Sequence, residues 1–167
     1  MTFNYCPVCG RKTEEKIIGD DGNVPYCAGC EKVLFPFSYP CVLTLIVDEC
    51  KNFALIQQYN IPAQFYMGVA GYTKEGEIFE DAVKREVLEE VGLVVEKVEY
   101  IKSYSLNPNT IMVGFVSEVK HSGFKLSGEV DNAKWFTQEE AQKLLRENSI
   151  IQRLFQDYTQ NNITTGG

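Results

Sequence analysis

The chain is 167 residues long, with 16 basic and 23 acidic side chains and a formal net charge of −7. Hydrophobic residues make up 44% and aromatics 12%, enough to build a core and to exclude wholesale disorder. The acidic balance excludes non-specific nucleic-acid binding through a basic surface and suits a protein that recruits divalent cations. No apolar run approaches the ~20 residues of a membrane span. The first residues lack the basic and apolar regions of an export leader, so a cytoplasmic protein with no membrane partner is expected. A single histidine, His121, leaves little room for Ser-His-Asp or Cys-His chemistry.

Cys6-Pro-Val-Cys9 and Cys27-Ala-Gly-Cys30 form two C-x-x-C pairs separated by 17 residues, a spacing that suits a four-cysteine zinc site. Each C-x-x-C turn sets two thiolates about one coordination edge apart. Two such turns close a tetrahedron with no open position, so the zinc is structural. Two disulfides in a secreted mini-domain are the alternative. Between the pairs, residues 12–18 and 24–26 read as strands about a turn at 19–23. So short a segment buries little core, so the metal holds it together. The aromatic, proline-punctuated stretch 35–40 marks a boundary, which gives a ribbon at 1–37 and a main domain at 38–160. Cys41 reads as a small buried hydrophobe.

In the main domain, strands are expected at 41–47 and 53–59 about a turn at 48–52, and a short third strand at 65–70. Phe79, Val83, Val87 and Val91 recur every fourth residue, which predicts a helix over 78–91, ended by Gly92 as a glycine C-cap. Strands at 93–104 and 111–119 follow, joined by a turn at 106–109, then a short strand at 133–136. Thr137 with Glu140 three residues on is a capping box that opens a helix. A last helix covers 150–158, and the polar tail 161–167 is expected to be flexible. Alternating strands and helices give an α/β or α+β sandwich.

Glu86, Glu89 and Glu90 stand at i, i+3 and i+4, so they project from one helix face, away from the apolar stripe. Like charges so placed repel by ~0.2–0.5 kcal/mol per pair, a cost that a bridging cation offsets. Hard divalent ions such as magnesium prefer carboxylate oxygens and complete their shell with water and substrate phosphates. On charge alone, an exposed acidic flank is the competing reading.

The wider pattern is more specific. Gly71, Glu77, Arg85-Glu86-Val87, Glu89-Glu90 and Gly92-Leu93 fill all nine fixed positions of G-x5-E-x7-R-E-U-x-E-E-x-G-U, with U aliphatic, over 23 residues. On these residues the chain resembles the Nudix hydrolases, which cleave nucleoside diphosphates linked to another moiety with Mg2+ or Mn2+. The resemblance implies a Nudix α/β/α sandwich carrying a small N-terminal zinc ribbon. It implies that Glu86 and Glu90 are metal ligands, that Glu89 is a further ligand or the base, and that Arg85 and Glu77 orient the set. It also implies a backbone carbonyl ligand from Ala70. Residues 128–136 resemble the segment that supplies another acidic ligand, with Glu129 the candidate and Asp131 in reserve; an ordinary loop carboxylate is the competing reading of Glu129. Metals so held neutralise developing charge and acidify a bound water, and a glutamate removes the proton.

A four-cysteine ribbon ahead of such a domain is similar to the NADH pyrophosphatase branch. Phe35 occupies the slot of that branch's base-stacking tyrosine, with Tyr72 a second stacking candidate; either residue is as readily core or rim packing. The branch's S-Q-P-W-P-F-P-x-S array is echoed at residues 103–112 by Ser103, Pro108 and Met112, while its tryptophan, phenylalanine and two of three prolines are missing. Ser103, Tyr104, Asn107 and Asn109 are the substrate contacts this implies. The N-terminal domain of full-length members is expected to be lacking. The implied activity is cleavage of a dinucleotide such as NAD(H) into two mononucleotides, with a homodimer as the implied assembly. The alternatives are action on ADP-ribose, FAD or capped RNA ends, or a non-catalytic nucleotide-sensing module.

Overall fold

A computed structural model describes residues 3–59 and 62–164. The chain divides into two units between Tyr39 and Pro40. In the first, β1 (Glu14–Ile17), β2 (Asn23–Cys27) and β3 (Lys32–Val33) form an antiparallel sheet in chain order. Glu14 lies opposite Tyr26 and Ile17 opposite Asn23. A short 3-10 turn at Gly19–Asp21 joins β1 to β2, closed by the Ile18 N–H donating to the Gly22 carbonyl at 2.9 Å. All of β1 is exposed, and among the described residues of this unit only Cys6, Val24 and Cys27 are buried apolar side chains. Burial gains about 1.5–3 kcal/mol for each large apolar side chain, whereas ordering the backbone costs about 1–2 kcal/mol per residue. Apolar packing therefore does not hold this unit.

The second unit holds β4 (Tyr39–Val47) from its second residue on, β5 (Phe53–Gln57), β6 (Val69–Tyr72), α1 (Phe79–Val91), β7 (Val95–Asn107), β8 (Thr110–Val119), β9 (Asn132–Phe136), α2 (Gln138–Leu144) and α3 (Ile150–Thr164). The sheet runs β7-β8-β4-β5-β9, with β6 also paired to β4. Thr44 of β4 faces Val69 of β6, whereas Ile46 and Val47 face Ala54 and Phe53 of β5. Alternation along β4 and β5 sends side chains to opposite faces, and both faces are covered. Leu43, Leu45, Phe53 and Leu55 pack with Leu154, Phe155 and Tyr158 of α3. Val42, Ile46, Ala54 and Ile56 pack with Ala82, Val83, Val87 and Val91 of α1. This is the expected α/β/α sandwich. Gly92 ends α1 in the left-handed region (φ 71°), donating to the Leu88 carbonyl, and the Thr137/Glu140 capping box opens α2.

Four elements depart from expectation. Regular pairing of the third strand begins only at Val69, because Tyr66 and Met67 make isolated bridges to Leu145 and Ile56. β5 stops at Gln57. β7 continues through the expected turn to Asn107, since Ser103, Tyr104 and Ser105 pair with Val113, Met112 and Ile111 of β8, leaving only Pro108 and Asn109 to reverse the chain. α3 runs on to Thr164, so the first residues of the expected 161–167 tail are helical; no glycine or proline interrupts propagation before Gly166. Residues 165–167 lie outside the described residues.

Candidate active site

The acidic set lies on the second half of α1, and β6 runs past it. A Cβ on Gly71 would land on the Glu86 carboxylate, so the glycine leaves that carboxylate the room it occupies against β6. Arg85 organises the carboxylates. Its Nε and Nη2 donate to both oxygens of Glu77 at 2.7 and 2.8 Å, its Nη1 donates to Glu86 Oε1 at 2.6 Å and Glu89 Oε2 at 3.1 Å, and Nη2 also reaches the Tyr72 carbonyl at 3.1 Å. A planar guanidinium with five donors suits this fixed fork. Glu77 also accepts the Lys74 N–H at 2.8 Å. The Arg85 bonds, with Lys74 behind them, hold the Glu77 carboxyl down to about 2. Lys74 Nζ further pairs with Glu89 Oε1 at 3.6 Å.

Glu90 is different. It is only 5% exposed, and its Oε2 is buried without a hydrogen-bond partner among the described residues. Burial, then the charges of Glu86, Glu129 and Glu89, push its carboxyl up to about 7. A buried, unpaired carboxylate oxygen that feels the charges of three more carboxylates is costly for the protein alone, and a hard divalent cation such as Mg2+ or Mn2+ is the chemistry that would relieve it. Glu86 and Glu89 are meanwhile tied to Arg85, so an ion would compete with the guanidinium for their oxygens. Glu129 sits in the exposed loop before β9, its N–H donating to Ser127 Oγ at 3.2 Å. Ala70 is half-buried in β6, opposite Leu43. Cys41, across the ladder from Tyr72, is buried, and burial together with the Glu86 charge pushes its thiol up to about 11.

The four cysteines converge. The sulfurs of Cys6, Cys9, Cys27 and Cys30 all lie within 4.8 Å of one another. The Cys9–Cys27 pair is 3.5 Å apart and Cys6–Cys30 is 4.0 Å apart, well beyond an S–S bond of ~2.05 Å, and all are free thiols. Four soft sulfur donors at one point fit a zinc-type ion.

The expected substrate contacts divide. Tyr104 is a core side chain, 6% exposed, whose hydroxyl donates to Asp157 Oδ2 at 2.8 Å, so α3 takes the group assigned to ligand. The Asn107 side chain accepts the Asn109 N–H at 2.8 Å and closes the turn. The Ser103 and Tyr100 hydroxyls are 3.1 Å apart. Tyr72 is exposed beside the Arg85 contact. Phe35 belongs to the first unit, half-exposed at a cavity of about 420 Å3 with Asp21, Val24 and Leu34. The hairpin instead contributes Ser105 and Leu106 to a cavity of about 490 Å3, lined also by Leu43, Tyr66, Met112 and Arg153. Neither Leu106 nor Tyr66 stood out in the sequence, because each joins the cavity only through the strand pairing of distant segments.

Residues 39–158 match the family model described as the NUDIX domain. Among curated proteins, the chain is 29% identical over 151 residues to the NAD-capped RNA hydrolase NUDT12 of Macaca fascicularis, covering 86% of this chain and 33% of that protein. It is 27% identical to the NAD-capped RNA hydrolase NudC of Vibrio vulnificus, covering 82% and 52%. It is 30% identical to the mitochondrial NAD(P)H pyrophosphatase NUDT13 of Mus musculus, covering 85% and 41%. The chain thus spans between a third and about half of the length of these relatives. Among solved structures, a NUDIX hydrolase from Nitrosomonas europaea superposes with a TM-score of 0.75 at 18% identity, covering 97% of this chain and 93% of that one. The NUDIX domain of Shewanella oneidensis NrtR, complexed with ADP ribose, gives 0.65 at 15% identity, covering 82% and 94%; both likenesses concern the fold.

Proposed function

The chain belongs to the NUDIX family, and on that premise we propose that it hydrolyses the pyrophosphate bond of an NAD-type dinucleotide into two mononucleotides. The observation that carries this reading is the buried Glu90 oxygen, without a partner among the described residues and subject to the charges of Glu86, Glu89 and Glu129. Glu86, Glu89 and Glu90, with Glu129 and the Ala70 carbonyl, would hold Mg2+ or Mn2+, which supplies charge neutralisation at the diphosphate and an acidified water. Arg85, braced by Glu77, holds Glu86 and Glu89 in place. Glu89 has 54% of its side chain exposed against 13% for Glu86, and it would serve either as a further ligand or as the group that takes a proton from attacking water. The cavity beside Leu106 and Met112, with Arg153 at its rim, suits a flat base on an anionic chain.

The activities for which these relatives are named support a nicotinamide dinucleotide, free or at an RNA end, ahead of ADP-ribose or FAD. The same reading takes residues 1–37 as a zinc ribbon and 38–160 as the catalytic domain. It includes a reducing, cytoplasmic setting that keeps the thiols ligating, and a homodimer. The test is release of AMP from NADH, NAD+, FAD and ADP-ribose, and of nicotinamide mononucleotide from NAD-capped RNA, in Mg2+, followed by chromatography. AMP from NADH with wild type and none with Glu86→Gln is the expected result. Nucleotide affinity without turnover of any of the five would replace the enzyme by a sensing module.

A further inference from the structure

Glu129 is carried by a loop that is anchored some way from it. Where the chain leaves β8, the His121 N–H donates to Glu49 Oε2 at 2.8 Å, and His121 Nδ1 lies 2.6 Å from Asp48 Oδ2. The Asp48 side chain is wholly buried. Burial raises its pKa, but bonds from Asn52, His121 and Cys50 prevail and lower it. The imidazole stacks on Trp135 of β9 at 4.8 Å, Phe124 stacks on the same residue at 5.3 Å, and the indole N–H donates to the Ser122 carbonyl at 3.0 Å. Three consecutive loop contacts thus converge on one indole.

From this grip the loop crosses the end of α1. The Lys125 N–H donates to the Val91 carbonyl at 2.9 Å, and the Ser127 N–H donates to the Glu90 carbonyl at 3.0 Å. Ser127 Oγ then accepts the N–H of Glu129, and the charge of Glu129 is felt at the Glu90 carboxyl. Stacked rings hold the start of the loop and backbone hydrogen bonds hold its course past the end of α1, up to the N–H of Glu129.

We propose that His121, clamped between Asp48 and Trp135, is a positioning residue that sets the path of the 120–131 loop and so presents Glu129 beside Glu90. The proposal rests on the reading of Glu129 as a metal ligand. Residues behind a ligand commonly tune metal affinity by about 10- to 100-fold. Because Phe124, Lys125 and Ser127 retain their own contacts, loss of His121 alone belongs at or below the lower end of that range.

The experiment is a calorimetric titration of Mn2+ into the full chain without substrate, on wild type, His121→Ala, Glu129→Gln and the double variant. Mg2+ half-saturation of turnover is the second readout. Glu129→Gln is expected to weaken Mn2+ about 10-fold and His121→Ala about 5-fold, with the double variant no weaker than Glu129→Gln alone, because His121 acts only through Glu129. His121→Phe keeps the stack on Trp135 and should recover part of the affinity; it also carries the test if His121→Ala does not fold. Wild-type Mn2+ affinity in Glu129→Gln would overturn the ligand assignment. Weakened binding in Glu129→Gln, with His121→Ala unchanged or with the two losses multiplying in the double variant, would overturn the positioning role alone.

Discussion

Glu90→Gln should make the protein both more stable and nearly inactive. Folding carries the Glu90 carboxyl from its ordinary 4.5 to about 7, through burial and the neighbouring Glu86, Glu129 and Glu89 charges. At 1.36 kcal/mol per unit, that sets a ceiling of roughly 3 kcal/mol on what its charge costs the metal-free fold, and solvent reaching the exposed neighbours reduces it to about 2 kcal/mol. The folded state keeps this proton to a higher pH than the unfolded chain does. The contribution is therefore intact below about 4.5 and is lost as pH rises towards 7. At pH 8 and without magnesium, the Gln variant should melt roughly 5–10 °C higher; at pH 5 the two proteins should nearly coincide. Trp135 is the only tryptophan and lies in the second unit, so its emission reports that unit's unfolding. Turnover in Mg2+ should fall by ~10²-fold or more. A variant no more stable at pH 8, or stabilised equally at both pH values, would refute the reasoning.

Gly71→Ala places a methyl group on the Glu86 carboxylate; steady-state kinetics should show kcat reduced by about 10²-fold with the helix content of circular dichroism unchanged. Glu77→Gln leaves Arg85 without its bidentate partner, and Mg2+ half-saturation should rise by about 10-fold while the melting temperature falls only slightly. Cys27→Ser removes one of four convergent sulfurs. Elemental analysis should show zinc falling well below one per chain, and the first unit should become protease-sensitive while Trp135 emission is unaltered.

Much of this architecture is written in local pattern. The four-residue spacing of Phe79, Val83, Val87 and Val91 located α1, Gly92 its end, and Thr137 with Glu140 the start of α2, because each signal lies within one turn of what it determines. Each C-x-x-C pair is likewise a one-turn signal, and the spacing between the two announced their convergence. What escaped notice depends on distant segments. Residues 103–107 carry turn-like polar chemistry, yet ladder bonds to β8 extend them as strand, and Tyr104 is drawn to Asp157, 53 positions away. Asp48 and His121 are 73 residues apart, so no spacing rule joins them. The two-fold occupation of Arg85 Nη2, on Glu77 and on the Tyr72 carbonyl, likewise exists only once β6 lies against α1.

The acidic cluster sits on the second half of α1, whose last turn holds no basic residue. The aligned peptide dipoles of a helix leave about half a negative charge at its C-terminal end. The backbone therefore adds its own pull on a cation to that of the side chains. The same glutamates displayed near the opposite end of a helix would attract cations less, so the polarity of α1 is itself a part of the site.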